Sequence, residues 1–178
     1  MLDLEAELDA VLAALTRSGI EYAVCGGIAL AIHWQPRATV DIDLLMRPES
    51  RSRAYAAFES AGFEGLTKVE AVDGDTLTLD LLLATPSFES AWQSRETVPW
   101  RGGPLSVVSR EGLIALKADR ASGQDLVDIE RLVNDGWPDK SERAIMMRIT
   151  RTSQLRKLCL SLAKAKPVKR EPQKKETS

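Results

Sequence analysis

Asp41 and Asp43 lie two residues apart in the apolar run Val40-Asp41-Ile42-Asp43-Leu44-Leu45-Met46. Side chains alternate along a strand, so both carboxylates project to one face and Ile42 and Leu44 to the other. Two carboxylates this close repel unless something cationic sits between them. A divalent metal is the usual solution, and Mg²⁺ prefers one or two carboxylates plus substrate phosphates. Just upstream, Gly26-Gly27 separates an apolar run, 20–25, from a helix-permissive one, 28–34. A glycine pair lets backbone approach a phosphate closely, at the end of the helix dipole that favours anions. Phosphate chemistry and metal chemistry therefore fall in one short unit.

The elements that must position these residues can be read from periodicity. Leu4, Leu8, Val11, Leu12 and Leu15 recur at helical spacing over 2–18, and Gly19 ends that helix. Residues 20–25 are mostly apolar, as in a central strand, and Pro36 stops the short helix that follows the glycines. The aspartate strand spans 40–46. A helix over 50–61 follows, capped by Gly62. Residues 64–72 and 76–84 form two strands around the turn signal Asp73-Gly74-Asp75. In Thr76-Leu77-Thr78-Leu79-Asp80-Leu81-Leu82-Leu83, Asp80 shares a face with Thr76 and Thr78. A lone charge in such a strand needs a partner or a metal; a salt bridge satisfies that as well as a metal does. A second hairpin is expected from 97–100 and 105–108. Ser109 is a plausible N-cap for a helix carrying Leu113, Ile114 and Leu116.

Composition bounds the class. The chain has 178 residues and a formal charge of −2, enough for one domain with its own core. There is no run of about 18 apolar residues, hence no membrane span is expected. An acidic start (Asp3, Glu5, Glu7, Asp9) argues against a secretory leader, and Cys25 and Cys159 ask for no oxidising compartment. A cytoplasmic location is the default. The charge is uneven: residues 1–136 carry 12 Lys/Arg and 22 Asp/Glu, and residues 137–178 carry 12 and 4. The expected organisation is a core over 1–136, a basic helical extension over 137–163 and a disordered basic tail over 164–178. The basic segment suits either nucleic acid or a solubilising, partner-binding role.

Gly26, Gly27, Ala29, Leu30, His33, Arg37, Thr39, Asp41 and Asp43 fall in one register. That register resembles the nucleotidyltransferase superfamily with the DNA polymerase β-like core. The closer likeness is to its minimal bacterial branch, which includes AbiEii-type abortive-infection toxins. There the pattern runs Gly-Gly-x-Ala-Leu, a His, then Arg-x-Thr-x-Asp-x-Asp. A second resemblance covers 107–129, where Lys117 is followed by Asp125-Leu126-Val127-Asp128-Ile129. The branch also has an Arg between these parts. Arg120 is close, but the Gly-Arg pair expected before Gln124 reads Ser122-Gly123.

The resemblance implies an α+β (α/β) fold: a small mixed sheet flanked by helices, palm-like, with a helical C-terminal segment. It implies transfer of an NMP from an NTP to a hydroxyl acceptor, an RNA or tRNA end or a protein side chain. A toxin–antitoxin or phage-defence setting, with a partner protein, goes with that branch. It implies Mg²⁺ or Mn²⁺ on Asp41, Asp43 and a third carboxylate, Asp80, with Asp80 also placed to take the acceptor's proton. Gly26, Gly27, His33, Arg37, Thr39, Lys117 and Asp125 would stand at the nucleotide.

Several of these residues have a plainer reading. His33, the single histidine, either bonds to nearby backbone at its helix end or contacts a nucleotide. Arg37 either contacts phosphate or pairs with an acidic neighbour. Thr39 shares the aspartate face, where its hydroxyl can orient a carboxylate. Lys117 either neutralises triphosphate charge in the transition state or pairs with Asp125 and joins two helices. Asp125 is either a helix cap or a site residue, and Asp128 is structural. Many active superfamily members have Ser where this chain has Gly27. The rival to an enzyme is therefore a nucleotidyltransferase-fold binding module, catalytically weak or inactive, that acts through a protein partner. A haloacid-dehalogenase-type motif at Asp41-Ile42-Asp43 leaves the glycine pair unexplained.

Overall fold

The computed structural model describes residues 3–34, 39–69 and 75–134. Arg37, the Asp73-Gly74 turn, the 137–163 extension and the 164–178 tail lie outside the described residues. Helix α1 (Leu4–Arg17) starts where Asp3 accepts hydrogen bonds from the Glu5 and Ala6 N–H groups, the usual N-cap stabilisation of about 1 kcal/mol. Then follow β1 (Tyr22–Val24), α2 (Gly26–His33), β2 (Asp41–Met46), a 3₁₀ turn (Pro48–Ser50) and α3 (Arg51–Ser60). The chain continues through β3 (Thr67–Val69), β4 (Thr76–Leu83), α4 (Glu89–Gln93), β5 (Glu96–Trp100), β6 (Gly103–Val107), α5 (Arg110–Arg120) and α6 (Gly123–Asn134).

The six strands form one mixed sheet in the order β3-β4-β2-β1-β6-β5. The β3/β4 and β5/β6 pairs are antiparallel hairpins, as the turn signals predict. Strand β1 runs antiparallel to β2 and parallel to β6, and β2 runs parallel to β4. The helix after the first strand begins at Gly26 rather than at Ile28, so the glycine pair is its first turn and not a separate loop.

Alternation along β2 decides what each face carries. Ile42, Leu44 and Met46 are fully buried with Leu8, Leu15, Ala54 and Phe58, which come from α1 and α3. Leu45 belongs to the opposite core, with Trp92, Leu113, Ile114, Ile129 and Leu132 from α4, α5 and α6. Asp41 and Asp43 have the parity of Leu45. They therefore sit on the α5/α6 side of the sheet, where its apolar cover gives way to polar residues. Burying a Leu-sized side chain is worth about 1.5–3 kcal/mol, so a one-residue slip of β2 would lose several such terms and is excluded by the core itself. Trp92 is buried in this core and Trp100 donates from Nε1 to Asp9 Oδ1 at 2.8 Å; both are packing residues. No helix among the described residues is long and apolar enough to cross a membrane.

Candidate active site

The parallel β2/β4 pairing sets Asp43 directly opposite Asp80 and Asp41 opposite Thr78. Neighbouring strands lie about 4.8 Å apart, so the Asp43 and Asp80 side chains rise side by side from one face. Asp43 is half-buried and its carboxyl is raised above the usual carboxylate range. Burial is the main cause, the Asp80 charge adds to it, and a hydrogen bond from the Gly27 N–H and the charge of Arg120 oppose it.

Gly26 makes this arrangement possible. It has φ +59, and a Cβ built there would lie 1.7 Å from Asp43 Oδ2. The Asp43 carboxylate thus rests on the Gly26 Cα, where the neighbouring Gly27 backbone favours its charged form. A Cβ at Gly27 would lie 2.7 Å from Thr39 Oγ1; the Thr39 side chain occupies the room a larger residue at 27 would need.

Helices α5 and α6 close the other side. Lys117 is buried, 4 % exposed at its side chain, and donates to Asp128 Oδ2 at 2.7 Å and Asp125 Oδ1 at 3.4 Å. It therefore joins the two helices. Asp128 also accepts from Gln124 at 2.9 Å. Asp125 is not the cap residue itself. Ser122 Oγ accepts from the Asp125 N–H at 3.2 Å while Asp125 accepts from the Ser122 N–H at 3.1 Å, a reciprocal capping box. Arg120 then binds Asp125 through Nε and Nη2 at 2.8 and 2.9 Å. Burial alone would raise the Asp125 carboxyl, but the hydrogen bonds from Arg120 and Ser122 and the Lys117 and Arg120 charges hold it well below the ordinary range.

Two cavities meet on this wall. One, of about 260 Å³, is lined by Gly26, Gly27, Thr39, Asp41, Asp43 and Asp80. The other, of about 210 Å³, has an apolar side made by Leu81, Leu82, Leu113 and Leu116. Gly26, Asp43, Asp80, Lys117 and Arg120 line both. Cys25 lies beneath the second; burial, with Asp43 and Asp80, pushes its thiol up and keeps it protonated.

Of the residues singled out from sequence, Gly26, Gly27, Thr39, Asp41, Asp43, Asp80, Lys117 and Asp125 gather around these cavities. His33 does not. Its Nε2 donates to the Val108 carbonyl at 2.7 Å and ties α2 to the end of β6, a backbone partner 75 positions away rather than one at its own helix end. Arg120, close to the register of the Arg expected between Lys117 and Asp125 but not in it, lines both cavities from the same helix face as Lys117, one turn away.

The donor set suits a hard divalent cation in kind: three carboxylates, no thiolate and no imidazole. Lys117 and Arg120 pair directly with Asp125 and Asp128; among the described residues Asp41, Asp43 and Asp80 have no direct ion-pair partner, and the Arg120 charge acts on Asp43 and Asp80 from across the cavity. As placed, no three His, Cys, Asp or Glu side chains among the described residues converge closely enough to form a metal cluster.

No protein-family model matches the chain, and no curated protein matches its sequence. Solved structures do. The fold is similar to that of the antibiotic-resistance factor ANT(2'')-Ia, with a TM-score of 0.59 and 15 % identity over 88 % of this chain and 94 % of that one. It is also similar to the lincomycin-bound lincosamide antibiotic adenylyltransferase LnuA, with a TM-score of 0.50 and 14 % identity over 72 % of this chain and 95 % of that one. The chain has the nucleotidyltransferase fold.

Proposed function

We propose that this protein is a nucleotidyltransferase that moves an NMP from an NTP to a hydroxyl acceptor. One observation carries the reading. Asp41, Asp43 and Asp80 share one face of the sheet at the mouth of two adjoining cavities, and among the described residues none of the three has a direct ion-pair partner. Asp41, Asp43 and Asp80 would hold Mg²⁺ or Mn²⁺, which when bound supplies charge stabilisation to the phosphate oxygens and to the attacking hydroxyl.

The chain's own residues do the rest. Gly26 leaves the space in which the Asp43 carboxylate sits, and the adjoining backbone and Thr39 form the floor on which the phosphates rest. Asp80, exposed at the cavity edge, accepts the proton of the acceptor hydroxyl as the oxygen–phosphorus bond forms and pyrophosphate leaves. Lys117 stands in the wall of both cavities, and its charge reaches the reacting phosphates only to the extent that Asp125 and Asp128 leave it unmatched.

The register of Gly26, Gly27, His33, Arg37, Thr39, Asp41 and Asp43 supports the AbiEii-like branch, and with it an RNA or protein acceptor in a toxin–antitoxin or phage-defence setting. One fold neighbour is named an antibiotic-resistance factor and another a lincosamide antibiotic adenylyltransferase with lincomycin bound, so a small-molecule acceptor belongs in the same test. Purified protein is incubated with each α-labelled NTP, Mg²⁺, and in turn RNA, protein extract and small hydroxylated compounds. Label on one acceptor class, lost in Asp41→Ala and Asp80→Ala, supports the transferase.

A second reading is a binding module that acts through a protein partner. It is favoured by the absence of a side chain at Gly27, where many active superfamily members have Ser. Measurable NTP binding with no transfer to any acceptor would favour it.

A further inference from the structure

Two cations line both cavities, and their surroundings differ. Lys117 is 4 % exposed at its side chain and gives two of its three N–H donors to Asp125 and Asp128. Arg120 is 63 % exposed at its side chain and gives Nε and one Nη2 hydrogen to Asp125. A guanidinium has five N–H donors. Both Nη1 hydrogens and one on Nη2 have no partner among the described residues.

The bond to Asp125 is side-on, so it fixes the plane of the guanidinium. Asp125 is itself held by the capping box with Ser122 and by Lys117. The chain from α6 to Arg120 is therefore a rigid mount for a charged fork at a cavity that also contains three carboxylates. The Asp43 and Asp80 charges act on Arg120 in turn. A rigid, partly exposed guanidinium with free donors suits a phosphate, because planar forks bind phosphate oxygens in pairs and lose little freedom in doing so.

We propose that Arg120 is the phosphate-binding cation of this site, with Asp125 as its positioning residue and Lys117 as the buried tie between α5 and α6. The ligand it takes is the polyphosphate of the NTP, and the pyrophosphate that leaves. This rests on the reading of the site as a nucleotide site. It divides between two cations the two roles that the sequence leaves open for Lys117.

The test is equilibrium binding of Mg²⁺-ATP, of the other three Mg²⁺-NTPs and of Mg²⁺-pyrophosphate to wild type, Arg120→Gln and Arg120→Lys, each checked by thermal denaturation. Charge-assisted hydrogen bonds to phosphate predict about tenfold to hundredfold weaker binding of both NTP and pyrophosphate in Arg120→Gln. Arg120→Lys keeps the charge but loses the fork, and is predicted several-fold weaker than wild type. If Arg120→Gln fails to fold, the Lys variant decides alone. A purely structural role would lower the melting temperature and leave affinity unchanged. Folded Arg120 variants that bind NTP and pyrophosphate as wild type does would overturn this assignment while leaving the nucleotide site standing. A wild type that binds no NTP and no pyrophosphate would overturn both.

Discussion

The Asp43 carboxylate lies against the Cα of Gly26 so closely that a Cβ there would come within 1.7 Å of Asp43 Oδ2. Gly26 also has φ +59, a conformation that costs an L-residue about 1–2 kcal/mol. The Gly26→Ala protein must either move the carboxylate or rebuild the start of α2. It is expected to fold with a lowered melting temperature and to lose transferase activity by more than about tenfold, since small displacements of a reacting group are costly. Wild-type activity in Gly26→Ala would show that Asp43 does not need this seat.

Gly27 and Thr39 are coupled in the same way. A Cβ at Gly27 would lie 2.7 Å from Thr39 Oγ1 and 2.9 Å from Thr39 Cβ. Gly27→Ala is expected to destabilise by about 1–3 kcal/mol through overpacking, and Thr39→Gly in the same chain should recover part of that. A double-mutant cycle read by urea denaturation checks it, with strict additivity the contrary result.

Asp43 links function to a stability cost. Its folded pKa is raised, first by burial and then by Asp80, so the folded state holds its proton more tightly than the unfolded chain. The metal-free protein must therefore lose stability as pH rises from the ordinary carboxylate range through that raised value. Asp43→Asn keeps an acceptor for the Gly27 N–H and removes the charge. In EDTA at neutral pH it is expected to melt higher than wild type while transferring no nucleotide. A lower melting point would contradict the repulsion argument.

The Lys117 cluster makes the opposite contribution. Asp125 and Asp128 are 0 % exposed, and Lys117→Met leaves both without their ammonium. Breaking a buried ion pair from one side typically costs about 3–5 kcal/mol, so this variant should be strongly destabilised in chemical denaturation. Asp125 has a lowered folded pKa. Its stabilisation is complete above the ordinary carboxylate range and is lost as pH falls towards the folded value. Asp125→Asn should be less stable than wild type at pH 7 and show a shallower loss of stability in acid.

What could be read from the chain alone was local. Alternation put Asp41 and Asp43 on one face with no tertiary information, and Ser109 and the two hairpins followed from cap and turn chemistry. The opposition of Asp43 and Asp80 depends on a parallel pairing between strands separated by α3 and β3, which spacing does not determine; the resemblance supplied that expectation. The hydrogen bond of His33 to Val108 joins residues 75 positions apart, and no local pattern encodes it. The place of Arg120 at the cavities follows from its spacing of one turn from Lys117 and from the Ser122-x-x-Asp125 capping signal that sets Asp125 beside it, whereas the Gly-Arg register of the resemblance points to the position held by Ser122-Gly123.

The central claim is tested most directly by following the two ends of the same nucleotide. Wild type and Asp80→Asn are incubated with the acceptor fraction and Mg²⁺, using NTP labelled at the α-phosphate in one series and at the γ-phosphate in the other. Nucleotidyl transfer predicts that α-label appears on the acceptor, that γ-label leaves as pyrophosphate, and that Asp80→Asn abolishes both. Label reaching the acceptor from the γ-phosphate, or α-label transfer that survives Asp80→Asn, would contradict the account.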